Sequence, residues 1–466
     1  MSVFRQFKRR LNRWFHNNLY LIQRIVIPLV NFFAPILSLI YELYRNSRLY
    51  QPPVRHPTQP MNTVTMASEE PTMLVQLQNK PVHDQSQSDL FSKIPGEIRN
   101  TIFHYALMDY EDTSSLYDEQ TCYRRPNYLA PRKASTALLR TCKRVYLEAW
   151  FRPWTSAEQT FYLTASDRRP ERVTTVPEMQ QTLDRLHRLC VQSAEGSETF
   201  EEIEVDSVRV FPQLYMLEPG TYLSRILNMR HFHPRTVTVT IRHTDWWYVN
   251  LKYFKYAPLY NPYNPDWSAN VNSRHWENDA PLRIDSKWVN TCVFPSSTRE
   301  VRLELESLER KKNEVDWMAK EMADKWHFKR SDNIIMSAKS VPTEVVRWSG
   351  NSTWNSQRWV RDETRPETLD YYVLTVTWRP VRPTGGLADE EMKAEAPNLS
   401  YPGSDRMSHA GPDMVNVFDM QAAEVPSGLD RDEVVRRIQE WRDVQAAARR
   451  RRLRARAGNY QEDEQS

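Results

Sequence analysis

Apolar residues recur along this chain with two periods, and the change from one to the other marks out its elements. Helical spacing comes first. Ile98, Ile102, Tyr105 and Ala106 fall at i, i+4, i+7 and i+8, and Leu138, Leu139, Cys142, Val145, Tyr146 and Ala149 repeat that spacing. Pro95 suits a first helical turn, where its missing N–H has no partner to lose, and Glu97 sits near the positive end of the helix dipole. Helices this short are marginal alone. The two stripes are therefore predicted to bury each other, with Leu90, Phe91 and Ile94 closing the top. Between them, Asp109 to Lys133 carries Glu111, Asp112, Asp118, Glu119, Arg124 and Arg125 and reads as a solvated loop.

Beyond residue 156 the elements alternate. Strands are predicted at 160–164, 189–191, 205–211, 236–241, 299–305, 333–338 and 370–378, the last with Tyr372, Leu374, Val376 and Trp378 on one face. Helices are predicted at 177–186 and in parts of 212–227, where Pro219-Gly220 interrupts. Another runs through Val315, Met318, Ala319, Met322 and Trp326. Tyr256 to Asp285 is aromatic but broken by prolines and reads as an ordered loop. The economical architecture is α+β: a helical module, residues 88–155, packed on a mixed sheet with helices, residues 156–380. No repeat of fixed period is found, which disfavours a solenoid.

Polar, Pro-rich tracts flank this core. Residues 51–87 and 381–429 hold too little apolar surface to offset their ordering entropy and read as disordered linkers. A final basic helix is predicted over 430–458, with Asp430 as its cap, Val434, Ile438 and Trp441 as a narrow apolar stripe and Gly458 as its end, before a tail at 459–466. Residues 1–50 are different again. Phe4, Phe7, Leu11, Trp14 and Phe15 share a helical face opposite Arg5, Arg9 and Arg13, and no charge occurs between Arg24 and Glu42. That apolar run falls just short of the roughly 20 residues that cross a bilayer, and Pro28 and Pro35 interrupt it. The expectation is a membrane anchor or re-entrant segment, preceded by a basic amphipathic helix of the kind that lies on anionic membranes. A mitochondrial leader and a helix docked on protein are the alternatives.

The opening Ile94-Pro95-Gly96-Glu97-Ile98 resembles the F-box, a small helical module that starts Leu-Pro-x-Glu-Ile. More closely, Ile94 to Phe103 together with Leu138 to Ala149 resembles a large fungal family of mostly uncharacterised proteins with an F-box-like start. Gly350 to Trp354 and Asp370 to Tyr372 look similar to later parts of that family. The resemblance implies a partner-binding face of Ile94, Pro95, Glu97, Ile98 and Ile102, with Skp1 as the adaptor protein and an unknown client held by the α+β region. The polar insertion departs from the usual F-box, whose helices run nearly back to back.

Composition narrows the chemistry. Only 10 Gly occur in 466 residues, and no Walker loop or dinucleotide fingerprint is present, so no cofactor is expected. The 4 Cys form no C-x-x-C pair, and His231 and His233 are too few for a metal site, so none is expected. No catalytic residue stands out: neither a nucleophile elbow nor a kinase signature is present. Net charge of +4 does not by itself imply a nucleic-acid partner. The 15 Trp crowd toward the C-terminal half and are read chiefly as core. Trp348, Trp354, Arg358, Trp359 and Arg361 form a candidate recognition groove, where arginine interleaves with indole. Arg449, Arg450, Arg451 and Arg452 form a basic patch suited to an electrostatic contact.

Taken together, these features predict a non-enzymatic protein-interaction protein, cytoplasmic or nuclear and membrane-associated through residues 1–50, serving as a recruiting adaptor. A membrane-tethered scaffold without ubiquitin-ligase work is the first alternative. An enzyme with its site in the aromatic groove is the second.

Overall fold

The computed structural model describes residues 73–78, 80–193, 203–246, 281–354, 356–381, 394–403 and 414–463. All belong to one of two units into which the chain separates, Thr72–Ser466. The basic segment at 1–50, residues 382–393 and 404–413 of the 381–429 tract and residues 256–280 of the aromatic loop lie outside the described residues.

The module opens with helices α1 (Met73–Gln78), α2 (Asp89–Ser92) and α3 (Gly96–Ala106). Strands β1 (Asp109–Glu111) and β2 (Arg132–Ala134) pair antiparallel, a 3-10 turn covers Leu138–Arg140, and α4 (Lys143–Ala149) and α5 (Arg152–Thr155) follow. The two predicted helical segments do pack on each other. Phe103 and Leu107 meet Val145 and Ala149, ringed by Leu90, Phe91, Leu138, Leu139 and Cys142. The inward stripe of α3 is not the one its spacing suggested, however. Ile98, Ile102, Tyr105 and Ala106 face solvent. At about 100° per residue, Phe103 and Leu107 lie across the helix from Ile98 and Tyr105, so burying one stripe exposes the other. Arg99 fixes the choice: its Nε reaches Glu148 Oε2 of α4 at 3.0 Å and its Nη1 donates to the Ile94 carbonyl at 2.8 Å.

A curled mixed sheet with packed helices follows, so the fold is α+β. Its first half is built from β3 (Gln159–Leu163), α6 (Val176–Ser193), β4 (Glu204–Pro212), α7 (Leu214–Leu217), α8 (Thr221–Leu227) and β5 (His233–Ile241). Then come β6 (Arg283–Ile284), α9 (Lys287–Thr291), β7 (Val293–Phe294), β8 (Glu300–Leu308), α10 (Lys312–Lys325), β9 (Phe328–Arg330) and β10 (Ile335–Ser337). Strands β11 (Glu344–Asn351), β12 (Thr353–Trp354), β13 (Gln357–Arg358) and β14 (Thr368–Pro380) lead to β15 (Leu399–Ser400), β16 (Val415–Asn416), α11 (Val417–Ala422) and α12 (Arg431–Asp463). Strand order is β3-β4-β5-β8-β14-β10-β9-β7. Neighbours are parallel from β3 to β8 and antiparallel where β14 joins, and β11 pairs with β14 at its side.

Alternation along β4, β5 and β8 divides the sheet into two faces. Val208, Val210, Val237, Val239, Ile241, Val301, Leu303 and Leu305 line the apolar face and join the main core with residues of α6, α8 and α10. Trp288, Trp326 and Trp378 are fully buried there, and the Trp378 Nε1 donates to the Trp326 carbonyl at 2.7 Å. The opposite face carries ions instead. Arg209 bridges Glu158 at 3.2 Å and Glu304 at 2.6 Å, and Thr240 Oγ1 donates to Glu304 at 2.8 Å.

That polar face gives the 109–133 insertion its place. Arg125 reaches Glu306 at 3.2 Å and Glu304 at 3.8 Å, Tyr128 meets Phe211 edge-on, and Arg125, Tyr128 and Ala130 are buried. The insertion is an ordered cap rather than only the solvated loop its charges suggested: Arg125 is anchored on the sheet, while Glu111, Asp112 and Glu119 pair within the insertion or at its edge and Asp118 and Glu119 stay exposed.

Other segments also depart from expectation. Helix α6 runs through 189–191, where a strand was predicted. Met179, Leu183 and Cys190 continue one buried helical stripe, and Thr175 and Glu178 form a capping box at its start. The tracts read as linkers contain structure: α1 buries Leu74, β15 pairs with β6, and β16 pairs with β13. Single apolar residues such as Leu399 and Val415 complete existing layers, a signal that averaging over a polar tract hides. Asp430 caps α12 as expected, with Oδ1 accepting from Glu433 N–H at 3.0 Å, but the helix continues past Gly458. One interior glycine costs about 1 kcal/mol, too little to end a helix of this length. The Pro219-Gly220 break is as read: Gly220 has φ +76°, and a Cβ there would meet Thr291 Oγ1 at 2.4 Å.

Candidate functional site

The outward side of α3 is the most accessible apolar feature of the module. Ile98, Ile102 and Tyr105 are 53%, 38% and 70% exposed along one stripe, although each would favour burial. Pro95 and Glu97 are exposed at the start of α3 and Ile94 is half-buried. The face implied by the F-box-like opening is therefore presented outward.

Beside this stripe lies a groove of about 290 Å³, lined by Asn100, Thr101, His104 and Tyr105 of α3, Arg152 of α5, Asp206 of β4 and Arg235 of β5. Tyr105 belongs to both stripe and groove. Arg235 is held by Glu204 and lies 3.3 Å from Asp206. His104 Nδ1 sits 2.9 Å from Ser156 Oγ and 3.5 Å from Asp206 Oδ2. These three side-chain types invite comparison with a hydrolytic triad, but the geometry differs. A triad places the hydroxyl and the carboxylate on opposite ring nitrogens. Here both approach Nδ1, so the carboxylate cannot orient a proton transfer from the serine. Ser156 is also buried. The arrangement fixes the ring of His104 and ties the module to the sheet. His104, Arg152, Asp206 and Arg235 come from four separate elements, and no spacing in the sequence brings them together.

The tryptophan–arginine groove is divided by the fold. Trp348 stacks on Tyr371 with ring centroids 4.1 Å apart, and Trp354 stacks on Trp359 at 5.5 Å. Arg358 is 1% exposed and binds Glu363 through Nε at 2.7 Å and Nη2 at 2.9 Å, while donating to the Leu429 carbonyl at 2.8 Å. Arg361 is buried against Asp362. These two arginines therefore serve the interior rather than a recognition surface, and Arg358 anchors the segment that leads into α12.

Trp348 and Trp354 instead line a cavity of about 30 Å³ together with Cys122, Arg125, His243, Glu306 and Tyr371. Its volume matches a water molecule and falls far below the roughly 300 Å³ at which ligand pockets begin. Burial pushes the His243 pKa down to about 4 and the Cys122 thiol up from its ordinary value. The imidazole is thus neutral at pH 7, and the thiol is far from a reactive thiolate.

Arg449, Arg450, Arg451 and Arg452 are exposed on α12. His231 stacks on His187 at 3.6 Å, a partner not evident in the sequence, and His233 opens β5 as expected. Among the described residues no group of three or more His, Cys, Asp or Glu could hold a metal ion, and no helix is long and apolar enough to cross a membrane. No protein-family model, no curated protein and no solved structure matches this chain.

Proposed function

We propose that this chain is a protein-interaction protein whose F-box-like module, residues 88–155, docks a partner on the outward face of α3. The observation that carries this reading is the apolar stripe of Ile98, Ile102 and Tyr105, left open on a helix whose other side is already buried. Apolar side chains at i, i+4 and i+7 fit a partner helix laid against them. The resemblance of the opening to an F-box makes Skp1 the first partner to test, with the α+β region as the holder of a client.

The test is binding of purified Skp1 to the full chain by calorimetry. Wild type is expected to bind, and Ile98→Ser/Ile102→Ser to weaken binding at least tenfold with an unchanged thermal melt. Skp1 that never binds wild type ends the adaptor reading. Equal binding by the double variant moves the contact away from α3.

A further inference from the structure

Within the groove beside α3, one arginine makes no ion pair with a described residue. Arg235 has Glu204 and Asp206, and His104 has Ser156 and Asp206. Arg152 has neither an ion pair nor a side-chain hydrogen bond with any described residue. Its Nε is closed off from solvent without an acceptor, and its guanidinium rests only over the Phe151 ring at 5.1 Å. Burial, with Arg235 nearby, pulls its pKa below the ordinary value despite Asp206. A half-buried guanidinium left this way forgoes hydrogen bonds it could make. Its mount is stiff, since Pro153 follows at the start of α5.

We propose that Arg152 receives a carboxylate from the docked partner, so the partner segment is an amphipathic helix that sets apolar side chains on Ile98 and Ile102 and one Asp or Glu into the groove. This rests on the reading that α3 docks a partner. Tyr105 forms a wall of the groove and a part of the stripe, so one helix along α3 reaches both. The groove also favours a single carboxylate over a phosphate. Asp206 lies in the same lining, and a doubly charged group there meets a like charge. A free anion would leave the neighbouring stripe uncovered. Planar, two-pronged pairing suits arginine with carboxylate.

The test uses the full chain and a panel of synthetic helical peptides with Leu at i and i+4. One Glu is walked along the polar flank, and each peptide has a Gln twin. Fluorescence anisotropy is expected to show one position at which the Glu peptide binds wild type about tenfold more tightly than its twin. Arg152→Gln should abolish that preference and leave the Gln twin's affinity unchanged. Ile98→Ser/Ile102→Ser should weaken every peptide. Equal affinity of all Glu and Gln twins for wild type overturns the proposal while leaving the docking face standing, and needs no variant to fold. A preference that survives in Arg152→Gln overturns it as well. Failure of every peptide to bind wild type removes both this inference and the reading beneath it. Inorganic phosphate that binds without any Glu preference assigns the groove to a free anion.

Discussion

Arg99 and Glu148 lie 49 residues apart in the chain and hold α3 against α4 through a two-pronged contact. Their pairing has a physical consequence: the ion pair selects which side of α3 turns inward. Glu218 shows the reverse case, a carboxylate the fold disfavours. It is buried at the end of α7, accepts one hydrogen bond from Asp285 N–H at 3.0 Å, and has a second oxygen without a partner. Burial pushes its pKa up to about 7, against 4.5 for the ordinary group. The folded state then binds a proton more tightly than the unfolded chain. Stability from this group is full below pH 4.5 and declines as pH rises to about 7. Glu218→Gln should match wild type near pH 4.5 and exceed it above pH 7 by on the order of 2 kcal/mol, measured by urea unfolding across that range. His243 slopes the other way as pH falls toward 4, so the difference between variant and wild type isolates Glu218.

At the scale of elements, α3 carries two apolar stripes with opposite duties. Phe103→Ala should lower stability by about 3–5 kcal/mol, and Ile102→Ala by no more than about 0.5 kcal/mol, in the same denaturant experiment. Comparable losses would place Ile102 inside and close the docking face. Sequence periodicity found α3 and α4 and their mutual packing. It could not choose between stripes, because the choice depends on Glu148 reaching Arg99 across the chain. The strands of the core were legible for a similar reason: alternation in β4, β5, β8 and β14 is local. The groove was not, since His104, Arg152, Asp206 and Arg235 share no spacing. Interleaved Trp and Arg drew attention to Arg358 and Arg361, but a guanidinium buried on its own carboxylate has the same sequence appearance as one that waits for a ligand.

For the molecule as a whole, the ionic face of the sheet and its cap form the unusual layer. Parallel strands are normally covered on both sides by apolar elements, whereas here Arg209 pairs with Glu304, and Glu304 and Glu306 meet Arg125 from a loop. Removing one member of such a buried network strands the others. Arg125→Ala should cost about 3 kcal/mol and speed amide hydrogen exchange across 112–131, with β4 and β5 still protected. Unchanged exchange there would mean that Tyr128 alone seats the cap.

The parallel order also imposes a schedule on synthesis. None of the pairs from β3 to β8 is a hairpin, and Arg125 leaves the ribosome about 180 residues before Glu306. Until β8 slides in beside β5, Tyr128 has its seat on Phe211 but Arg125 lacks both Glu304 and Glu306. A nascent chain paused before residue 300 would therefore leave the cap more open to proteases than it is in the finished protein.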